Sequence, residues 1–540
     1  DMKEVILHYE DKYIPMERKD TRMTLPMKKV ATSQFHDYYE AQLQMHLICL
    51  RYFFEFTDMQ GEKVYYGNYE FDKECITNRD RMFDCPQNLR EEEMFEVPQW
   101  AANKVVYQIF PSRFATTQPV DKELWYKAPI TPMDDLHGNL RGIIEHLDYI
   151  KDLGIDVVYL TPIFKSNSCH KYDTIDYYQV DPSFGTTEDL KELVQKSHER
   201  GMKVVLDAVY NHTGREFFAF QDILEKGEKS KYLDWYFIDE LPPRGEWGEI
   251  PNFKCFGYYG GMPKLNLKNP EVEKYITDVA CYWIKECDID GWRLDVGDEI
   301  SHFFWKNFRK AVKAVKKDML IIGEIWHYAG DFLEGDEWDT VMNYPFYLNL
   351  IDLLADEKIT VSQFVQNLGY LKGRLHKNCY PLMWNLIDSH DTARFLHLCN
   401  DNKKKQHLAA AFQLLLPGMP MIYYGDEYAM PGANDPDCRR GMYWDEEYQD
   451  KEMYEWYKRL IQVRKSHACI VEGELAGSVT EDEEGTIVLI RKNGEETIAM
   501  IFNCSSSAKK FNEYTQKYNL LTENTFDGNV EGFDAAVIVL

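Results

Sequence analysis

From Lys104 onwards, short apolar runs alternate with longer amphipathic segments, a pattern that predicts β-strands and helices alternating around a parallel sheet. There are eight apolar runs, and eight is the strand number of a (β/α)8 barrel. Residues 99–468 are therefore interpreted as an α/β domain with TIM-barrel architecture. The predicted strands are Val105–Phe110, Val157–Thr161, Lys203–Asp207, Gly291–Asp295, Leu320–Glu324, Thr340–Asn343, Leu382–Asp388 and Met421–Tyr424. The predicted helices are Leu140–Leu153, Thr187–Arg200, Pro270–Cys287, Phe303–Lys317 and Lys403–Leu415.

A long segment interrupts this alternation after the third strand. The chain from Asp207 to Pro270 is too long for an ordinary connection between a strand and a helix, and it is rich in aromatic residues and Gly. Residues 213–268 are therefore predicted to form a small inserted subdomain.

The two ends of the chain have β-rich patterns. Residues 1–98 contain two apolar runs separated by a turn, which predicts a hairpin within an N-terminal β-sandwich followed by a charged linker. Residues 469–540 follow a last helix and are interpreted as a C-terminal antiparallel β-sandwich. The segments on which these interpretations depend are His46–Phe56, Asp58–Glu62, Lys63–Tyr66, the linker Arg90–Glu96, the helix Glu452–Ser466, and the strands Ile487–Arg491, Thr497–Phe502 and Ala535–Leu540.

Composition narrows the classes of function. The net charge of −28 disfavours nucleic acids and anionic membranes as partners, and no window offers the ~20 apolar residues that span a bilayer. The twelve Cys are scattered without paired or metal-type spacing, which is typical of reduced thiols in a cytoplasmic protein. The stretch Asp1–Pro15 lacks the basic-then-apolar pattern of a signal peptide, although a signal peptide removed earlier stays an alternative.

Polar residues cluster where the predicted strands end. In barrels of this kind, side chains at the carboxyl ends of the strands form the active face, whereas those at the opposite end serve stability. Four carboxylates, two His and one Arg are expected to converge on one mouth, a grouping that favours a functional site over a set of unrelated ion pairs. These positions are Asp207 with Asn211 and His212, Arg293 with Asp295, Glu324, and His390 with Asp391.

The fourth strand carries the most informative pair. Arg293 and Asp295 are two residues apart in a strand, so their side chains project from the same face. A guanidinium beside a carboxylate lowers the pKa of that carboxylate and keeps it ionised, as a nucleophile requires. Asp295 is therefore the best single candidate for a catalytic nucleophile, with a structural ion pair as the alternative.

The sequence resembles the α-amylase superfamily of glycoside hydrolases, which are (β/α)8 enzymes acting on α-glucans. The resemblance covers residues from about 104 to the end. It is carried, in the family's order, by Asp207-Ala-Val-Tyr-Asn-His212, Gly291-Trp-Arg-Leu-Asp295, Gly323-Glu-Ile-Trp326 and Ser389-His-Asp391.

A narrower resemblance is to the neopullulanase, cyclomaltodextrinase and maltogenic amylase subgroup. It implies a starch-binding type of β-sandwich at the amino end and a homodimer in which that domain covers the partner's active site. The motifs that carry it are Met262-Pro-Lys-Leu-Asn266, Gly323-Glu-Ile-Trp-His327, Met342-Asn-Tyr-Pro-Phe346 and Asn434-Asp-Pro-Asp-Cys-Arg439.

The resemblance implies a role for each matching residue. Asp295 would be the nucleophile, Glu324 the general acid/base, and Asp391 the carboxylate that holds the sugar in the transition state. Retaining hydrolysis needs one ionised and one protonated carboxyl, and partial burial together with nearby charges would keep Glu324 protonated. The implied substrate-binding residues are Tyr172 as a stacking platform, His212 and His390 as hydroxyl ligands, Asp435 and Arg439 as a clamp on the next glucose, Trp326 on the acceptor side, and the supporting pair Asp207 and Arg293.

One stretch departs from the subgroup. After the first strand its members often bind calcium through a series of Asn and Asp residues, whereas Phe114–Asp121 offers a single carboxylate. Calcium prefers six to eight oxygen ligands. No organic cofactor is implied, and a required calcium ion is not expected.

Together these features predict a cytoplasmic enzyme that hydrolyses α-1,4 bonds of maltodextrins, cyclodextrins or pullulan with retention of configuration, with some α-1,6 cleavage and transglycosylation. Two alternatives are weighed against it. A catalytically silent glucan-binding or transport-partner homologue is disfavoured because all three carboxylates are present. A transferase or isomerase of the same clan is disfavoured by the motif at residues 262–266.

Overall fold

The computed structural model describes residues 2–14, 22–43, 47–86, 95–245 and 248–540. Most of the predicted linker Arg90–Glu96 lies outside the described residues, as do Asp1, Pro15 and His46. The chain divides into two compact units, one of residues 1–95 with 365–374 and one of residues 96–364 with 375–540. The predicted domain boundaries at residues 98 and 468 stay predictions.

The described part of residues 1–95 in the smaller unit is built mainly from β-strands, and residues 365–374 of that unit belong to a helix. One sheet has the order β2-β1-β5-β6-β7, with β8 also paired to β5, and β3 and β4 form a separate hairpin. The predicted hairpin is confirmed, since β5 and β6 pair in antiparallel register with Phe54 opposite Tyr66. The strands are β1 (Met2–Asp11), β2 (Met23–Pro26), β3 (Lys28–Thr32), β4 (Asp37–Glu40), β5 (Cys49–Asp58), β6 (Lys63–Tyr66), β7 (Phe71–Asp72) and β8 (Phe83–Pro86).

The larger unit contains the predicted (β/α)8 barrel. Eight parallel strands lie in the order β16-β15-β14-β13-β10-β9-β18-β17, and a parallel bridge between Met342 and Trp384 joins the two ends of this sheet. The strands of this region are β9 (Val106–Ile109), β10 (Val157–Leu160), β11 (Phe164–Lys165), β12 (Asp176–Val180), β13 (Lys203–Ala208), β14 (Gly291–Leu294), β15 (Leu320–Gly323), β16 (Thr340–Val341), β17 (Trp384–Asn385) and β18 (Met419–Tyr423).

Helices connect the strands and follow the predicted pattern closely. The helix predicted at Pro270–Cys287 has those bounds, with Asn269 as its N-cap and Pro270 in its first turn. The helices are α1 (Pro111–Phe114), α2 (Lys122–Trp125), α3 (Leu140–Glu145), α4 (Leu147–Leu153), α5 (Thr187–Glu199), α6 (Phe218–Lys226), α7 (Pro270–Cys287), α8 (His302–Val315), α9 (Tyr344–Leu350), α10 (Val361–Arg374), α11 (Phe395–Leu398), α12 (Lys403–Leu415), α13 (Lys451–Ser466) and α14 (Cys469–Glu472).

Several barrel strands end earlier than predicted. The strand predicted at Leu382–Asp388 is paired only at Trp384–Asn385, and the fourth strand ends at Leu294 rather than Asp295. The polar residues that follow leave the hydrogen-bonded ladder and turn into the mouth of the barrel. Gly323 ends β15 without a side chain because a Cβ there would lie 2.2 Å from the Trp338 ring. The indole therefore packs directly against the backbone of Gly323, the residue before Glu324.

The segment between β13 and α7 contains α6 and a series of turns held by isolated antiparallel bridges. One bridge joins His212 to Lys264 and another joins Tyr236 to Leu265, so the segment returns to the end of β13. This return brings Phe256 and Met262 to the mouth of the barrel.

The carboxyl end of the chain forms an antiparallel sheet of order β19-β20-β21-β26-β23-β24, beside a small sheet of β22 and β25. The three predicted strands here are confirmed by β20, β21 and β26. Among the described residues, no helix is long and apolar enough to cross a membrane. The strands are β19 (Glu474–Glu481), β20 (Thr486–Asn493), β21 (Glu496–Asn503), β22 (Lys509–Lys510), β23 (Tyr518–Asn519), β24 (Asn524–Thr525), β25 (Asn529–Val530) and β26 (Asp534–Val539).

Candidate active site

A cavity of about 480 Å³ lies at the carboxyl ends of the barrel strands. Eight of the eleven residues predicted for the site line it, and the other three, Asp207, Arg293 and His390, lie fully buried beneath it. All eleven predicted residues are therefore brought together. The lining consists of His170, Tyr172, His212, Phe256, Met262, Asp295, Val296, Asp298, Glu324, Trp326, Asp391, Asp435 and Arg439.

Arg293 is the centre of this arrangement. Its Nη1 donates to Oδ1 of Asp295 at 2.9 Å and to both carboxylate oxygens of Asp207 at 3.2 Å. Its Nη2 lies 2.9 Å from Oε2 of Glu324 and 3.9 Å from Oδ2 of Asp391. The predicted pairing of Arg293 with Asp295 is confirmed, and the same guanidinium also reaches Asp207, Glu324 and Asp391.

Asp207 forms the floor of the site. Its Oδ2 accepts hydrogen bonds from the hydroxyl of Tyr159 at 2.6 Å and from the hydroxyl of Tyr172 at 3.1 Å. Burial raises the pKa of Asp207 to about 6, while Arg293 and the two tyrosines oppose this rise. Asp207 thereby fixes both the guanidinium and the ring of Tyr172.

Arg293 lowers the pKa of Asp295 as expected, but the expectation that this effect leaves Asp295 with a low pKa is wrong. Burial raises this pKa well above its ordinary value, Arg293 opposes the rise, and the carboxyls of Glu324, Asp207 and Asp391 add to it. The sequence showed the cation beside Asp295 but not the depth of burial or the number of carboxyls around one guanidinium. The group as a whole therefore retains protons that a single surface ion pair would release.

Glu324 has the environment predicted for a proton donor. Burial raises its pKa and the charge of Asp391 adds to the rise, whereas Arg293 opposes it. The backbone N–H of Val296 donates to Oε2 at 2.9 Å, and Nε1 of Trp326 donates to Oε1 at 3.3 Å. Both carboxyl oxygens are thus held in place, with Oε1 on the side of Trp326.

The two predicted histidines are neutral and buried. Burial lowers the pKa of His212 to about 3, and its ring stacks on Phe256 at 5.1 Å between centroids. The pKa of His390 is lowered well below its ordinary value by burial and by the nearby cations Arg439 and Arg293. Nε2 of His390 contacts the Tyr172 hydroxyl and lies 3.2 Å from Oδ2 of Asp391.

Arg439 closes one side of the cavity. Its Nη1 lies 2.7 Å from Oδ1 of Asp435, its Nη2 donates to Oδ1 of Asp391 at 3.4 Å, and its Nε donates to the carbonyl of His390 at 2.7 Å. The guanidinium also lies over the ring of Phe110, 5.1 Å from its centroid. These contacts fix the clamp to the loop that carries Asp391.

Trp326 lies on another side of the cavity and is 42% exposed. Its indole stacks on Tyr344 with 4.0 Å between ring centroids and 14° between planes. The aromatic surface facing the cavity is therefore rigidly supported from behind, as a platform for a sugar ring requires.

Several contributors were not predicted from the sequence. Gln108 is buried in β9 and its amide donates to Nδ1 of His390 at 2.7 Å, while Tyr159 in β10 holds Asp207. The signal for both was a polar group inside an apolar strand. Phe256 and Asp298 lie in irregular segments whose positions relative to the barrel mouth have no periodic signal.

In the loop Phe114–Asp121, where calcium is not expected, the single carboxylate caps a helix. Oδ1 of Asp121 accepts from the backbone N–H groups of Glu123 and Leu124 and so caps α2. Within the described part of the chain, no group of three or more His, Cys, Asp or Glu side chains could hold a metal ion.

Comparisons with known proteins agree with this geometry. Residues 108–473 match the family model described as the α-amylase catalytic domain, and residues 1–87 match the α-amylase N-terminal Ig-like domain. The chain is 44% identical over 489 residues to a cyclomaltodextrinase of Geobacillus thermopakistaniensis (strain MAS1), covering 90% of this chain and 83% of the relative. It is 40% identical over 486 residues to an intracellular maltogenic amylase of Bacillus subtilis, covering 88% and 82%.

A solved cyclomaltodextrinase structure superimposes with a TM-score of 0.93 at 37% identity, covering 100% of this chain and 94% of that chain. The chain therefore belongs to the α-amylase family of glycoside hydrolases. Its relatives named above are cyclomaltodextrinases and a maltogenic amylase, so the subgroup predicted from the sequence motifs is confirmed.

Proposed function

We propose that this protein hydrolyses α-1,4-glucosidic bonds of cyclodextrins, maltodextrins and pullulan by a double displacement that retains the anomeric configuration. The observation that carries the proposal is the contact of Asp295 and Glu324 with adjacent nitrogens of Arg293 at the wall of one cavity. Two carboxyl groups in distinct environments beside a sugar-sized space are what a glycosidase of this type requires.

In the first step, Asp295 attacks the anomeric carbon and Glu324 donates its proton to the departing oxygen. The glycosidic C–O bond breaks as the bond from Asp295 to the sugar forms, and the positive charge that develops on the ring is stabilised by Asp391. That positive charge also favours the ionised form of Asp295 and so opposes the rise in its pKa that burial causes. In the second step, ionised Glu324 takes a proton from water, and the resulting hydroxide releases the sugar from Asp295.

The other residues bind the glucan. Tyr172 stacks under the ring that is cleaved, and His212 and His390 hydrogen-bond its hydroxyls as neutral imidazoles. Asp435 and Arg439 hold the next glucose on the non-reducing side, and Trp326 receives the leaving or acceptor sugar. A sugar bound at Trp326 in place of water gives transglycosylation as a side reaction.

The proposal extends to location and assembly. A cytoplasmic location is supported by the name of the Bacillus subtilis relative, which is described as intracellular, and by the scattered spacing of the twelve cysteines. A homodimer is proposed from the resemblance to the subgroup, and light scattering after size-exclusion chromatography measures it directly.

The proposal is tested by incubating the protein separately with γ-cyclodextrin, pullulan, starch and maltotriose and identifying the products. We expect maltose and glucose from γ-cyclodextrin, and proton NMR of the earliest products should show α-anomers. Initial β-anomers would refute the double displacement, and inactivity on all four glucans would refute the function.

A further inference from the structure

The motif Met262–Asn266 marks the subgroup, and its middle residue, Lys264, has a role that the proposed reaction leaves unassigned. Nζ of Lys264 donates to Oδ1 of Asn211, to the carbonyl of Glu299 at 3.2 Å and to Oε2 of Glu299 at 3.2 Å. Nδ2 of Asn211 donates to the same Oε2 at 2.9 Å. The three side chains form a closed set of contacts that links the loop after β13, the inserted segment and the turn after β14.

This turn has an unusual backbone at its first residue. Val296 directly follows Asp295 and has φ +46°, in the left-handed region. A β-branched residue is an outlier there and persists only where the surrounding structure holds it. The conformation directs the N–H of Val296 at Oε2 of Glu324, 2.9 Å away. The strained residue thus joins the turn after the fourth strand to the side chain of Glu324, at the end of the fifth.

Glu299 is at the other end of the same turn. Its backbone N–H donates to the carbonyl of Val296 at 3.2 Å, and the backbone N–H of Ile300 donates to the carbonyl of Gly297 at 3.3 Å. Glu299 therefore cannot move without moving the turn. Of the contacts described for its side chain, those that fix it are with Lys264 and Asn211.

We propose that Lys264 is a positioning residue whose ammonium group, acting through Glu299, holds the turn at residues 296–299 so that the Val296 N–H stays on Glu324. The inference rests on the proposed role of Glu324. Its chemical consequence concerns the second step, because a donated hydrogen bond favours the ionised carboxyl that must act there as the base. Loss of the ammonium leaves the Glu299 side chain held by Asn211 alone, which loosens the turn, lets Val296 relax, and weakens that hydrogen bond.

The contacts from Lys264 through Glu299 and Val296 to Glu324 form a relay. The charged groups around this relay determine whether a pH profile can report a change in the pKa of Glu324. Glu324 faces Arg293 from β14, Asp295 from the end of the same strand, and Asp391 from the loop after β17. Lys264 faces Glu299 and Asp298 from the turn. Replacing Lys264 changes no group that contacts Glu324 except the N–H of Val296, so a shift in the ionisation of Glu324 reports the turn.

The test replaces Lys264 by Met, which keeps the length of the side chain without its charge. On γ-cyclodextrin we expect kcat to fall about tenfold or more with KM changed less than about threefold, since the lost contact acts after binding. Without the Val296 N–H the pKa of Glu324 rises, so the alkaline limb of kcat/KM should move up by about one pH unit. Lys254→Met is the matched control, because Lys254 is in the same segment and pairs with Asp239 at the surface.

A second variant, Glu299→Gln, removes the charge at the other end of the relay. We expect the same displacement of the alkaline limb, and the double variant Lys264→Met/Glu299→Gln should lose no more activity than the worse single variant. Glu299→Gln decides the question by the same readouts if Lys264→Met does not fold.

An alkaline limb at the wild-type position would overturn the inference, as would additive losses or a fall in activity that follows the melting temperature alone. Because every comparison is made with active wild-type enzyme, these results leave the proposed function standing. Inactivity of the wild-type protein on γ-cyclodextrin would instead count against the function itself.

Discussion

At the scale of single residues, one guanidinium distributes charge over the whole site. Arg293 contacts three carboxyl groups within 3.2 Å, and all of them are buried. The spacing of two residues along a strand was enough to predict its contact with Asp295, because that geometry is local. The raised pKa of Asp295 was not predictable, because it depends on residues more than 25 positions away that burial brings together.

The role of Asp295 gives a first prediction. Asp295→Asn removes the nucleophile but keeps the shape and the contact with Arg293, so kcat on γ-cyclodextrin should fall about a thousandfold or more. Binding of maltotriose, measured by calorimetry, should change little. Turnover above a few per cent of wild type would assign the nucleophile to another group.

Glu324 gives a second prediction, based on leaving groups. Glu324→Gln should depress the turnover of maltotriose far more than that of a nitrophenyl maltoside, because a good leaving group needs little protonation. An equal loss on both substrates would indicate a binding role.

The pH profile belongs to the same residue. Burial raises the pKa of Glu324, so its protonated form should persist above the ordinary range, and activity should be lost as pH rises through this raised value. The pKa of Asp295 is also raised, so activity should be lost on the acid side as pH falls through that value. An acid limb near pH 4, where a free Asp titrates, would show that the carboxyls do not interact in the working enzyme.

At the scale of elements, the two ends of the barrel strands have different roles. The site residues follow the carboxyl ends, and residues that stabilise the fold lie at the opposite ends. All eight strands were predicted. Each is a short apolar run between helical patterns, and such a run can be recognised from neighbouring residues in the sequence alone. The site residues at strand ends followed from that prediction, whereas Phe256 and Asp298 did not, because the segments that carry them have no period to read. Asp290 is an example of a residue at the opposite end of a strand. It directly precedes β14 and is fully buried.

Asp290 should stabilise the fold without affecting catalysis. It accepts from the Val204 N–H at 3.0 Å and pairs with Lys203 at 2.9 Å and Lys316 at 3.0 Å. Asp290→Asn should cost about 3 kcal/mol, the lower end for a broken buried pair, because both lysines are partly exposed. Calorimetry should show a lower melting temperature with unchanged kcat at 25 °C.

The pH dependence of that loss has a definite sign. The pKa of Asp290 is lowered in the folded protein by His198 and the two lysines, so its stabilisation is complete above pH ~4 and is lost as pH falls through the lowered value. The difference between wild type and Asp290→Asn should therefore shrink in acid. Asp288→Asn is the matched control, since Asp288 pairs with the same Lys316 but is exposed, and it should cost less than about 1 kcal/mol.

The loop after the first strand gives a prediction about metal. Because Asp121 is engaged as the cap of α2 and is the single carboxylate of Phe114–Asp121, EDTA should leave activity and melting temperature nearly unchanged. A drop of many degrees that calcium reverses would reveal a site built from other oxygen atoms.

At the scale of the whole molecule, the proposed clamp of Arg439 and Asp435 predicts which glucans are used. A clamp that closes the non-reducing side would favour short or cyclic substrates and maltose as product. The enzyme should therefore cleave γ-cyclodextrin and maltotriose faster than amylose. Release of long oligosaccharides from amylose at a higher rate would indicate an open groove.

The clamp itself can be removed. Arg439→Ala should raise KM and broaden the product pattern, because a guanidinium held by Asp435 and Asp391 fixes the position of a sugar as well as binding it. Arg440→Ala is the adjacent control, since that guanidinium pairs with Asp437 and is not part of the cavity lining.

The closure of the barrel has a consequence for the working cycle. β16 and β17 are two residues each, and among the described contacts between their ends are the bridge between Met342 and Trp384 and a hydrogen bond from Asn343 to Asn385 at 2.8 Å. Glu324 and Trp326 follow β15, which is the neighbour of β16 on one side of this seam, and Asp391 follows β17 on the other side. A glucan bound in the proposed way would contact residues on both sides of this seam. We therefore expect the barrel to resist opening most strongly while substrate is bound.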